Sequence, residues 1–380
     1  SNLYPFYEIL PVKSNSGNWL VNGGKTNTAD IPSLVSTLLT WERVRSFNVG
    51  FDFGAFSNRL TGSFDYFVRK TVDMVGPAPQ LPLVLGIAPA IVNNADMKSY
   101  GFEIELSWRD RIGEVDYGVK FNLADAQQKV VKYPNTTNAF SDWYAGKMSG
   151  EIWGYTSLGI AKTDEEMKEH LASLPNGGQN QLGNKWGAGD IMYADINGDG
   201  KVDGGKGTLA DPGDQRIIGN STPRYNFGLV LDTSYKGFDV SIFFQGVGKR
   251  DYAPIVGTNG AVFWGAVNNI WQSMAMEEHF DYFRPEGHPM GANLNGYYPR
   301  PDFTSNKNHQ VQTRYLQDAS YIRLKNLQIG YTLPKQWINK LHINRCRVYV
   351  SGDNLWTGTS LASMFDPETL AAGDWGSGKT

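Results

Sequence analysis

The chain has 380 residues, enough for two ordinary domains or one large barrel. Charged residues make up 19% of it, below the roughly 25% of an average soluble protein, and a net charge of −3 leaves no footprint for nucleic acid. A single cysteine, Cys346, excludes an internal disulfide framework and reads as a small packing residue in the strand pattern "RCRVYV".

The start, "SNLYPFYEIL", has no basic segment and no apolar core, so no signal peptide is visible. An exported chain of this kind is expected to be processed or truncated. No apolar run approaches the length of a membrane helix. A barrel hides its spans in alternation and keeps mean hydropathy low, here −0.39.

"RSFNVGFDFG" is the first strand, with Phe47, Val49, Phe51 and Phe53 on one face. "RLTGSFDYFVRKT" returns after a short link and aligns Leu60, Phe64, Tyr66 and Val68. The segment "SYGFEIELSWRDRIGEVDYGVKFNLA" is the clearest hairpin. Tyr100, Phe102, Ile104, Leu106 and Trp108 oppose Ser99, Glu103, Glu105 and Ser107; after a turn at Asp110 to Gly113, Val115, Tyr117, Val119, Phe121 and Leu123 oppose Asp116, Lys120 and Asn122. Each arm runs to about 11 residues, longer than the usual globular strand and suited to a tilted bilayer span of about 9–11 residues.

Helical spacing appears only briefly, in "TDEEMKEHLASL" (163–174), where Thr163 and Glu166 form a capping box and Leu171 and Leu174 mark the buried side. Next comes "DINGDGKVD" (195–203). Asp195, Asn197 and Asp199 place side-chain oxygens at alternate positions, Gly200 permits the sharp turn, Lys201 can offer its carbonyl, and Asp203 holds the ninth place. This is calcium-loop spacing, incomplete because Lys206 stands where a bidentate acid belongs; Asp214 is the first choice to close the shell and Asp211 the second. The alternative is an acidic solvated turn. Calcium here is expected to stiffen the loop.

"YNFGLVLDTSY" and "FDVSIFFQGVG" form a third hairpin through "KG". The segment 249–314 is rich in aromatics, including Phe263, Trp264, Trp271, Phe280, Tyr282, Phe283, Tyr297 and Tyr298. These could pack on one another, dock a partner protein or contact a ligand; Trp264, Trp271, Tyr282 and Phe283 are the ligand candidates. A final hairpin joins 315–333 to 344–355.

The expected strands are therefore 45–54, 59–71, 98–109, 114–125, 225–235, 238–248, 315–333 and 344–355, with long loops at 72–97, 126–224, 249–314 and 356–380. Short links alternate with long ones, which puts every long loop at one end. Outer-membrane barrels have this parity, with short periplasmic turns and long external loops; a sandwich has no reason for it. The expected fold class is an all-β antiparallel transmembrane barrel wall. Eight strands can close a small barrel, but the tail "GDWGSGKT" is loop-like with no returning strand, so a larger barrel is expected.

Enzyme signatures are missing. His170, His279, His288, His309 and His342 are scattered, with no HExxH, no zinc spacing, no GxSxG elbow and no phosphate-binding glycine loop. The chain is read as a non-enzyme.

Several stretches resemble the SusC/RagA class of TonB-dependent outer-membrane transporters. They are "LTWERVRSFNVGFDFGAFSNRLTGSFDYFVRKTVDMV", "KSYGFEIELSWRD", "GDIMYADINGDGKVD", "DQRIIGNSTPRYNFGL" and, most specifically, "YLQDASYIRLKNLQIGYTLP" with "RVYVSGDNLWTGTSLASMFDPE". The resemblance implies the C-terminal part of a 22-stranded plugged barrel in the outer membrane of a Gram-negative bacterium. It also implies energy from the TonB complex, a SusD-like lipoprotein lid, and oligosaccharide or oligopeptide cargo. Plug, TonB box and final strand are not found in the chain. Glu103, Glu105, Asp116 and Lys120 would then face plug or water. The alternative is a secreted, calcium-stabilised β-rich glycan-binding or adhesin protein.

Overall fold

The computed structural model describes residues 10–30, 32, 34–36, 39–77, 84, 90–254, 262–265, 267, 276–303, 306–339 and 343–370. Its main element is an eight-stranded antiparallel sheet in which sequence neighbours are also spatial neighbours. The strands are β1 Arg43–Ala55, β2 Leu60–Val75, β3 Asn93–Ile112, β4 Val115–Lys132, β5 Arg224–Tyr235, β6 Phe238–Lys249, β7 Tyr321–Thr332 and β8 Arg347–Thr359. The chain is all-β and antiparallel, as the alternation predicts.

Register turns the period-two pattern into two surfaces. One row of paired positions runs Phe53, Gly62, Leu106, Phe121, Leu229, Phe244, Leu324 and Trp356 from β1 to β8. The adjacent row on the other face runs Asp52, Ser63, Glu105, Asn122, Gly228, Gln245, Arg323 and Thr357. A one-residue slip in any strand would exchange its two faces, so this contrast pins the register. Gly62 is the gap in the apolar row because the rings and methyls beside it fill the space: a Cβ there would lie 2.6 Å from the Phe53 ring and 2.9 Å from Leu106.

Short turns close one end of the sheet. Lys236 and Gly237 link β5 to β6 with φ of +46° and +90°, the mirror-image turn whose twist matches that of the strands. β3 and β4 run to 20 and 18 residues, well beyond the span of about 9–11 that hydrocarbon requires. β3 ends and β4 begins at the turn, so the surplus, which includes Asn93–Met97 and Gln128–Lys132, projects at the long-loop end.

Among the described residues nothing covers the apolar face. Phe51 is 60% exposed and Val350 76%, whereas water-facing patches this greasy are rare on soluble monomers. Buried apolar residues instead collect in the loops, around Trp264, Phe263, Tyr193, Tyr298 and Tyr315. β1 and β8 lie at the two edges of the sheet and do not pair with one another. The expected strand 315–333 is shorter than its pattern. Residues before Tyr321 make only the two-residue pair Gln317–Asp318 with Asp251–Tyr252, because Ala319 turns into a small core with Tyr252 and Leu361.

Candidate cargo-facing surface and loop assembly

The polar face is concave, with a hollow of about 940 Å³ lined by Asp52, Ser63, Glu105, Ser107, Lys120 and Asn122 among others. Glu103 stands directly opposite Asp65, a like-charge cross-strand pair that is unfavourable in isolation. Of the residues expected on this side, Glu103, Glu105, Asp116 and Lys120 are all exposed and alternate with the apolar row.

Above the sheet, the two longest loops fold into one assembly. Glu151–Gly154 pairs with Arg216–Asn220, and Ser157–Ile160 with Ile191–Tyr193. Helix α1, Asp164–Ala172, starts at Thr163, whose Oγ1 accepts from the Glu166 N–H at 3.1 Å. The Glu166 carboxylate reaches back one residue further than expected, to the Lys162 N–H at 2.6 Å. Met167 and Leu174 are buried, while Leu171 is only partly so.

Asp190 lies at the junction of the two loops and is fully buried. Its Oδ1 accepts from Arg300 Nε at 2.8 Å and Asn308 Nδ2 at 2.9 Å; its Oδ2 accepts from Arg300 Nη2 at 2.6 Å and Lys307 Nζ at 2.9 Å. The buried Lys307 ammonium also lies over the Trp186 ring at 5.1 Å. A buried charge pair is stable only when its remaining hydrogen-bonding capacity is met, and here it is met closely. Tyr193 Oη donates to the Lys307 carbonyl at 2.6 Å, and Gln179 bridges Ile191 and Tyr193. Burial pushes the phenols of Tyr193, Tyr298 and Tyr315 up, which keeps them neutral.

This packing corrects the ligand reading for two aromatics. Trp264 is 1% and Phe283 2% exposed, and Trp264 meets Tyr315 edge-on at 4.8 Å, so both belong to the loops' own core. Tyr282 is partly exposed, with Arg284 over its ring and His288 edge-on beside it. Trp271 lies outside the described residues.

The acidic loop is tightly wound on its own carboxylates. Asp195 accepts from the N–H groups of Gly198 and Gly200 at 2.6 and 2.8 Å, Asn197 from Asp199 N–H at 2.9 Å, and Asp199 from Lys201 N–H at 3.2 Å. Asp214 is buried and braces the loop, accepting from Ile196 N–H at 2.7 Å and Asp203 N–H at 2.8 Å. Burial pushes its carboxyl up despite those bonds. The donor chemistry and winding suit a hard cation. The arrangement does not yet converge on one: the Lys201 ammonium sits 2.5 Å from Asp203, holding that carboxyl low, and among the described residues no group of three or more His, Cys, Asp or Glu is set to hold a metal.

Spacing in the sequence gives no sign of Asp190 meeting Arg300 and Lys307, because more than a hundred residues separate the partners. The only available signal is charge within otherwise aromatic loops.

A family model described as "TonB dependent receptor-like, beta-barrel" matches residues 2–355. TonB-dependent receptor P3 of Formosa agariphila is 28% identical over 380 residues, taking in 95% of this chain and 34% of that protein. TonB-dependent receptor SusC of Bacteroides thetaiotaomicron is 21% identical over 359 residues, 90% of this chain and 31% of that protein. The solved RagAB peptide transporter superposes with a TM-score of 0.68 at 22% identity, over 98% of this chain and 37% of that one. The chain thus spans about a third of the length of the curated relatives it matches. With its single eight-stranded meander and the match across most of its length, the chain belongs to the TonB-dependent receptor-like β-barrel family.

Proposed function

We propose that this chain forms part of the wall of a TonB-dependent outer-membrane importer. The polar face would look toward the plug and the aqueous lumen, and the loop assembly toward the outside. The observation that carries this reading is the pair of register rows: an apolar band across eight strands broken only at Gly62, backed by a polar one broken only at Gly228. Hydrocarbon tolerates strands only when their backbone is paired and their outer side chains are apolar.

Oligosaccharide or oligopeptide is the cargo we assign, with a SusD-like lipoprotein as lid over the loops. The likeness to SusC and to the RagAB peptide transporter supports this assignment. Of the loop aromatics we assign Tyr282, half-buried against the loop core, to contact with cargo or lid. Calcium at Asp195, Asn197, Asp199, the Lys201 carbonyl and Asp203, with Asp214 behind, belongs to the proposal in a stiffening role; it would have to displace the Lys201 ammonium.

The test is fractionation followed by uptake. The receptor should sediment with outer membranes, require detergent for release, and take up labelled peptide or oligosaccharide only while TonB is energised. Full solubility without detergent would overturn the reading and favour a secreted module.

A further inference from the structure

After β8 the chain folds back toward the polar face. Arg323 belongs to the polar row and is only 7% exposed. It donates to Asp366 Oδ1 and to Glu368 Oε2, each at 2.8 Å, and its Nε donates to Thr357 Oγ1 at 2.7 Å. Lys325 Nζ reaches both Glu368 oxygens at 3.1 and 3.0 Å. Arg250, also buried, donates to the Leu370 carbonyl at 2.6 Å. Three cations from β7 and the end of β6 therefore hold one ten-residue segment, Leu361–Leu370.

What the segment lacks matters equally. It joins no sheet, and its own backbone bonds are single turns, Phe365 N–H to Ala362 and Thr369 N–H to Asp366. Apolar anchorage comes from two sides: Leu361, Phe365 and Leu370 meet Tyr252 and Ala319, and Ala362, Met364 and Phe365 pack against the main loop core. Charge-assisted bonds of this type are strong but are weakened by salt where they meet water. The Asp366 side chain is 44% exposed. Water and ions can reach the carboxylates while Arg323 stays covered beneath them.

We propose that Leu361–Leu370 is a strap latched by charge across the long-loop end of the polar face, opening as a unit when Asp366 and Glu368 release Arg323 and Lys325. Its use, to admit or retain cargo beside β7, rests on the import reading; its mechanics do not.

Hydrogen exchange on the detergent-solubilised receptor tests the mechanics. In the Asp366→Asn/Glu368→Gln double variant, amides of 361–370 should exchange about tenfold faster or more, while β7 keeps its protection. Raising salt from about 50 mM to about 1 M should shift the wild type in the same direction. Unchanged exchange in the double variant would overturn the latch, because the apolar contacts alone would then hold the segment. Equal loosening of β7 would also overturn it, making the ion pairs a brace for the sheet. Uptake is measured on the same variants. Release with no change in uptake rate refutes the latch's role in import and leaves the import reading intact. Absence of TonB-dependent uptake by the wild type refutes that reading and leaves the exchange result standing.

Discussion

Ile104→Arg tests the assignment of faces where it is most exposed to failure. Ile104 sits in the apolar row Phe51, Phe64, Ile104, Leu123, Phe227 across five strands. It is the midpoint of the alternating stretch Ser99–Arg109, whose 11 residues match one bilayer span of about 9–11 residues, which puts it near mid-bilayer. An arginine on the lipid face at that depth costs about 2–4 kcal/mol, a factor of about 30 to 700 in the insertion equilibrium. Glu103→Ala, one residue away, removes one member of the Asp65–Glu103 like-charge pair and should shift stability by less than about 1 kcal/mol, in the stabilising direction. Val119→Arg and Lys120→Ala repeat the comparison on β4. The assay is urea-dependent insertion of the receptor into phospholipid vesicles, followed by tryptophan fluorescence. Equal shifts for Ile104→Arg and Glu103→Ala would refute the argument, since a lipid face and a water face cannot respond alike.

Other predictions concern the loops. Asp190→Ala takes the nearer carboxylate from the buried Lys307 ammonium and leaves it Asp302 at 3.6 Å; breaking such a pair costs up to about 3–5 kcal/mol, and protease should then cut both long loops while the sheet resists. Burial holds the His170 imidazole below its usual 6.5, so the unfolded form binds the proton more readily. That contribution is present above 6.5 and lost as pH falls through the lowered folded value; exchange at α1 should rise on acidification, and His170→Gln should abolish the pH dependence. Calcium should slow exchange across 195–214 in wild type but not in an Asp195→Asn variant. No effect of millimolar calcium would identify Lys201 as the loop's own counter-cation.

The sheet was legible because an apolar face and a polar face impose a two-residue period on most of β1 through β8, interrupted by register shifts such as the one at Leu324 and Asn326 and by Val230 and Phe243 on the polar face. Legibility fades where that contrast ends. Asn93–Met97 and Gln128–Lys132 extend the central hairpin in mostly polar residues that carry no alternation, so the pattern stops before the hydrogen bonds do. The stretch before Tyr321 misled for the opposite reason: its apolar residues serve the loop cores rather than a strand face, Tyr315 the main one with Trp264 and Tyr298 and Ala319 the small one with Tyr252 and Leu361.

Loop chemistry was readable only where it is local. The Thr163 cap and the winding of Asp195–Asp203 involve residues a few positions apart, and spacing reports them. Whether Trp264 faces cargo or core depends on Tyr298, Tyr315 and His309, which come from distant parts of the chain; composition cannot choose between those outcomes. The same holds for Arg323 with Asp366 and Glu368, separated by more than forty residues.

The central claim is that hydrocarbon meets one flank of the sheet and water the other. The most direct measurement replaces Cys346 by serine, places single cysteines along β3 from Phe102 to Trp108, attaches a nitroxide to each, and reads oxygen against a water-soluble relaxant in native membranes. Positions 102, 104, 106 and 108 should respond to oxygen, and 103, 105 and 107 to the aqueous agent. If the first set is shielded from both, those side chains lie in a protein interior and the barrel-wall account is wrong.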